Sequence, residues 1–314
     1  MFFLLNLSFL SRPLAVIATA VDSGNLSDAE QLGHYPVIVA VAAILFSLGL
    51  ICDIYLLLRL TRSLAIPEPT AEQTLLKIES KPWSVDDLLF AIGALVVAWV
   101  VTEGAVWGAL KLAHVDQESA MPWLLLADMM LRVVFLFGFV AFFRRRGTDW
   151  RQAVGLAHKP PLQAIALGAI FFLAMIPPLA VVFPVSAKIC HLFGIKDSPQ
   201  DVADLLANSD STFVVVSIVA FAVAVAPVFE EFFFRGFAYP ALKQRWGTWR
   251  ALVIVSAAFA AIHLHVPSLG PLFALAIGLG LSYEFTGSLL APITVHALFN
   301  TVNVGMLLYV RAHS

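Results

Sequence analysis

Two adjacent glutamates, Glu230 and Glu231, close an otherwise apolar run, STFVVVSIVAFAVAVAPVF, and Arg235 follows one turn later. Side chains four apart share a helical face, so Glu231 can pair with Arg235. Glu230 lies about 100° round the helix from its neighbour. It is left without a local countercharge, and a carboxylate in that state in a low dielectric can work as a base or an acid. The bland alternative is a helix end with three solvated charges. Two further sites weigh against it. His263 lies in SAAFAAIHLHVP, and His296 and Asn300, again four apart, lie in APITVHALFNTVN. Together these groups meet the needs of amide hydrolysis, which takes a base for water and donors for the tetrahedral oxyanion. Glu230, His263 and His296 would equally make a zinc set with an open position. No His-Glu-x-x-His helix decides the matter. Water activation without a metal is the preferred reading, with a divalent cofactor such as zinc left open.

These side chains must be positioned by membrane helices. Of the 314 residues 60% are hydrophobic and 13% charged, against about 45–50% and about 25% in soluble domains. Apolar runs long enough to span hydrocarbon, about 20 residues each, recur along the chain. The expected fold is all-α and polytopic, with eight transmembrane helices near 36–58, 87–110, 122–143, 162–186, 212–239, 251–265, 269–285 and 288–310. Basic residues mark the cytoplasmic side. With the N-terminus outside, Arg59 and Arg62, then Arg144, Arg145 and Arg146, then Lys243, Arg245 and Arg250 all fall inside. Helix rise then puts Glu230 about 14 Å, His263 about 18 Å, His296 about 12 Å and Asn300 about 18 Å from the cytoplasmic ends, one layer in the inner half of the bilayer. His265 lies further out and reads as interfacial.

The expected organisation is a segment 1–34, apolar then polar and external, four helices within 35–200, and a core of four helices over 210–310. Residues 1–20 read equally as a cleaved signal, a retained helix or an interfacial segment. The stretches 63–84 and 187–211 read as a cytoplasmic and an external loop. Nothing basic or aromatic-basic points to nucleic acid. Cys52 and Cys190 have no metal or redox spacing. Other ionisable residues in the spans have ordinary explanations: Asp53 near Arg59, Asp128 paired with Arg132 four residues on, and Glu284 reaching water at a helix end. Glu103 has no evident partner.

The three motifs, in order and at these spacings, resemble the CPBP family, the type II CAAX prenyl endopeptidases and their bacterial relatives. The first is EEFFFRGF, Glu230 to Phe237. The second is Phe259 and His263, the third His296 and Asn300 with its Ala-Pro-Ile lead-in, and RWGTWRALVIVSAAFAAIHL links the first two. The resemblance covers roughly residues 210–305. It implies an intramembrane endopeptidase of a bacterial inner membrane, its site open to the cytoplasm, in which Glu230 and His263 activate water and His296 and Asn300 stabilise the oxyanion. Glu231, Arg235 and Phe259 would be supporting. The implied partners are the lipid bilayer and a membrane-anchored protein or peptide substrate. Two other readings stand beside it: a non-proteolytic relative acting in bacteriocin self-immunity or as a scaffold, and a transporter using Glu103, Asp128, Arg132 and Glu230 as an ion path.

Overall fold

The computed structural model describes residues 36–64, 81–115, 117–156, 159–195, 205–206, 209 and 211–313. The N-terminal segment and most of the two long loops lie outside the described residues. Every regular element described is helical. The chain runs α1 (Pro36–Leu64), α2 (Val85–Leu112), α3 (Gln117–Arg145), a short turn at Trp150–Ala153, α4 (Pro161–Leu192), α5 (Thr212–Trp246), α6 (Thr248–Ala261), α7 (Leu269–Thr286) and α8 (Leu290–His313). Seven of these are long and apolar enough to cross a membrane, and α6 is shorter.

Element ends follow local chemistry. Ser84 and Asp87 form a reciprocal capping box that starts α2. Arg146, just past α3, pairs with Asp87 and donates to Pro82 O at 3.2 Å, tying the end of α3 to the start of α2. Pro160 and Pro161 open α4, where a missing N–H costs nothing. Gly247 at φ 78° separates α5 from α6, and Gly287 at φ 68° ends α7.

Several boundaries differ from expectation: α1 runs on to Leu64, α3 starts at Gln117 and α4 runs on to Leu192, and two further ends bear on the site. The fifth helix does not end near Tyr239 but continues to Trp246, because Lys243 and Tyr239 both find a buried partner in Glu284. The sixth does not reach His265; it stops at Ala261. At 14 residues it is about 21 Å long, short of the hydrocarbon thickness of about 30 Å. Leu264, at φ 49°, turns the chain, and Val266–Ser268 forms one 3-10 turn before α7. Irregular backbone at membrane depth survives where protein covers it, and His263 beside this turn is buried.

The α1 and α2 faces carry exposed apolar side chains such as Ile51, Phe90, Val97 and Val101, the lipid-facing surface of a membrane bundle. The core lies between α3, α4, α5, α6, α7 and α8 and is dense in phenylalanine. Phe139 and Phe143 of α3 meet Phe232 and Phe237 of α5. Trp83 stacks on Phe237 at 5.8 Å and donates to its carbonyl at 3.0 Å. Close backbone approaches lock the bundle. A Cβ on Gly168 of α4 would sit 2.6 Å from Ala291 O of α8, and one on Gly155 would sit 1.7 Å from Gly287 O.

Candidate active site

The segment bearing both glutamates is not a uniform α-helix. Within α5, Phe221–Val225 and Phe232–Ala238 widen into π-type turns on either side of Ala226–Glu231. Such turns disturb the ordinary carbonyl pairing and recur at functional sites. In each, a side chain from elsewhere donates to a carbonyl: Asn300 Nδ2 to Ala222 O at 2.8 Å, and Trp83 Nε1 to Phe237 O at 3.0 Å. The two π turns and their donors set the rotation of the six residues between them, and hence the direction of Glu230 and Glu231.

Glu231 is fully buried and paired with Arg235 Nη1 at 2.9 Å, the i,i+4 pair expected from spacing. Arg235 Nη2 also donates to Ala276 O of α7 at 3.0 Å, and its guanidinium lies 4.8 Å over the Phe259 ring. His296 Nδ1 meets Glu231 Oε1 at 2.9 Å. A carboxylate only accepts, so Nδ1–H donates and the other ring nitrogen, Nε2, is turned towards Glu230 Oε2 at 3.9 Å.

Glu230 differs from expectation. It makes no close ion pair on its own helix, but Arg132 Nη1 of α3 lies 3.8 Å from its Oε1. Arg132 does pair with Asp128, at 2.7 Å, and that local pair hid its second contact. Glu230 and Arg132 are only 4% and 2% exposed, so the interaction is little screened by water.

His263 is buried beside the turn after α6. Its Nδ1 lies 2.7 Å from Phe259 O, so Nδ1–H donates to that carbonyl and neutral Nε2 carries the lone pair. Phe259 touches both histidines, its ring 4.9 Å from that of His263 and 5.7 Å from that of His296. It is the packing element that joins the second motif to the third. Asn300 points its amide nitrogen at Ala222 O, which leaves its second N–H for another acceptor. His265 bonds Ser268 Oγ through Nδ1 at 2.7 Å.

Glu284 does not reach water. It is buried, and its Oε1 accepts from Tyr239 Oη and, at 2.6 Å, from Lys243 Nζ. Cys52 and Cys190 are free thiols. Among the described residues no three His, Cys, Asp or Glu side chains come together as a metal-binding group. A divalent ion between Glu230 and the histidines would also face the Arg132 guanidinium beside that carboxylate. The Glu230, His263 and His296 set therefore does not fit zinc as arranged.

Fold and site define a multi-pass helical membrane protein with a buried Glu–His–Arg cluster shared by α3, α5 and α8. Residues 212–302 match the family model of type II CAAX prenyl endopeptidase Rce1-like proteins. The match falls on the motif-bearing last third of the chain, in keeping with the CPBP resemblance of its motifs, and the matched family is one of proteases. Comparison with curated proteins and with solved structures returns no match.

Proposed function

We propose that this protein is an intramembrane endopeptidase that hydrolyses a peptide bond of a membrane-anchored protein or peptide. The observation that carries the reading is the Glu230 carboxylate, buried between Arg132 and His296 inside an Rce1-like domain. Glu230 and the Nε2 of His263 bind and polarise a water molecule, and Glu230 takes its proton. The resulting hydroxide attacks the carbonyl carbon. His296, oriented at Nδ1 by Glu231, presents Nε2 as a proton donor to the oxyanion beside the second N–H of Asn300. On collapse the C–N bond breaks and Glu230 returns its proton to the leaving amine. No step requires a metal. The basic clusters at the ends of α1, α3 and α5 support a site facing the cytoplasm of a bacterial inner membrane.

The test is a comparison of membrane proteomes between a wild-type strain and one carrying Glu230→Gln. The expected result is one membrane-anchored precursor that accumulates uncleaved in the variant. Identical proteomes, with the biological phenotype retained in both Glu230→Ala and His263→Ala, would instead assign the protein a non-proteolytic role.

A further inference from the structure

We infer that Asp128 and Arg132, on α3 and outside the Rce1-like match, form a positioning dyad for Glu230. The inference rests on the endopeptidase reading and adds two residues to its machinery. The two oxygens of Glu230 face different neighbours: Oε1 lies 3.8 Å from Arg132 Nη1, and Oε2 lies 3.9 Å from His296 Nε2. The carboxylate is strung between a fixed cation and an imidazole. Drawing Oε1 to the guanidinium leaves Oε2 presented to the histidine and to the water it would activate.

The guanidinium is itself held from three sides. Asp128 Oδ2 accepts from Arg132 Nε at 2.7 Å. The Phe221 and Phe229 rings each lie 5.0 Å from Arg132 Cζ. Both phenylalanines belong to α5, one in the first π turn and one next to Glu230 in sequence. Arg132 therefore reads the rotation of the very segment whose carboxylate it faces. A glutamate has three rotatable bonds and, without this partner, would have nothing opposite His296 to hold its carboxylate across the gap. Other charges around it serve different partners: Arg235 is committed to Glu231, and Glu231 to Arg235 and His296. A cation on α3 with no role in the site would have been satisfied by Asp128 alone. Preorganisation of this kind acts on the chemical step rather than on substrate binding.

The test uses the purified full chain in liposomes. The probe is a peptide spanning the cleaved bond of the precursor that accumulates with Glu230→Gln. Arg132→Met is expected to lower kcat about 100-fold, with KM within about threefold of wild type. Arg132→Lys, which keeps the charge, is expected to stay within about tenfold of wild type. Leaving Asp128 without its partner could unfold Arg132→Met, so the double variant Asp128→Leu/Arg132→Met removes both charges together. Such paired replacement is often neutral for stability, and the same loss of kcat is expected in it. A double variant with wild-type kcat, while Glu230→Gln is inactive, overturns the dyad and leaves the endopeptidase reading standing. So does an Arg132→Lys variant as slow as Arg132→Met with an equal drop in thermal midpoint, since that pattern marks a purely structural pair. If Glu230→Gln cleaves like wild type, both readings fall.

Discussion

Glu231 Oε1 accepts two hydrogen bonds at once, from Arg235 Nη1 and from His296 Nδ1, each at 2.9 Å. One oxygen thus fixes both the helix-end cation and the tautomer of the histidine that faces Glu230. The adjacent glutamates differ in partners: Glu231 is a fully buried anchor, and Glu230 lies between Arg132 and His296.

That division predicts an order of stabilities. Glu231→Gln leaves Arg235 buried without its ion-pair partner, which costs about 3–5 kcal/mol. Glu230→Gln leaves Arg132 still paired with Asp128 and costs much less. Thermal unfolding of the two variants in detergent checks this, and a Glu230→Gln protein less stable than Glu231→Gln would refute it.

In the proposed mechanism Asn300→Ala removes an oxyanion donor, and it also strips Ala222 O of its partner. The expected loss in kcat is about 100- to 1,000-fold, with about 1–3 kcal/mol of stability lost through the bared carbonyl. Steady-state kinetics in proteoliposomes beside a melting curve separates the two. A variant that melts early yet turns over normally would leave Asn300 only its structural bond.

Chelation should leave activity unchanged. The Arg132 guanidinium already supplies a cation to the Glu230 carboxylate, and the described residues gather no metal-binding group. Activity before and after EDTA dialysis, with zinc content by mass spectrometry, measures this. Loss of cleavage restored by zinc would reinstate the metal set.

The joint between the α3–α4 connection and the α7–α8 turn is a backbone contact. Gly155→Ala would press a methyl group onto Gly287 O at 1.7 Å in a residue at φ 75°, at a cost of about 3 kcal/mol. Gly147→Ala is the control: its φ is 71°, but a Cβ there meets nothing within 4 Å, so about 1 kcal/mol is expected. Melting temperatures should fall in that order, and equal shifts would reject the contact as the cause.

What was legible in the sequence was local. The Glu231–Arg235 pair follows from four-residue spacing, and eight apolar segments follow from length and hydropathy. Motif order and helix depth put Glu230 and His296 in one layer, and the two lie 3.9 Å apart. Three features had no local signal. The Arg132–Glu230 contact joins residues 98 apart, 132 and 230, and Asp128 offered a sufficient nearby explanation for the arginine. The π turns depend on donors from Trp83 and Asn300, which no periodicity in α5 reports. The position of Glu284 at a helix end points to water, yet Tyr239 and Lys243 of the lengthened α5 close over it.

The Trp83 indole bond to Phe237 O and the Arg132 ion pair also bear on how such a chain can be inherited and recombined. Both cross from the first half of the molecule into the motif-bearing third. A chimera that grafts residues 210–314 onto a foreign set of leading helices would carry every motif residue intact. It would still lose the clasp on one π turn and the cation facing Glu230. Substitutions at 83, 128 and 132 should therefore travel together with those in the last third when related chains diverge.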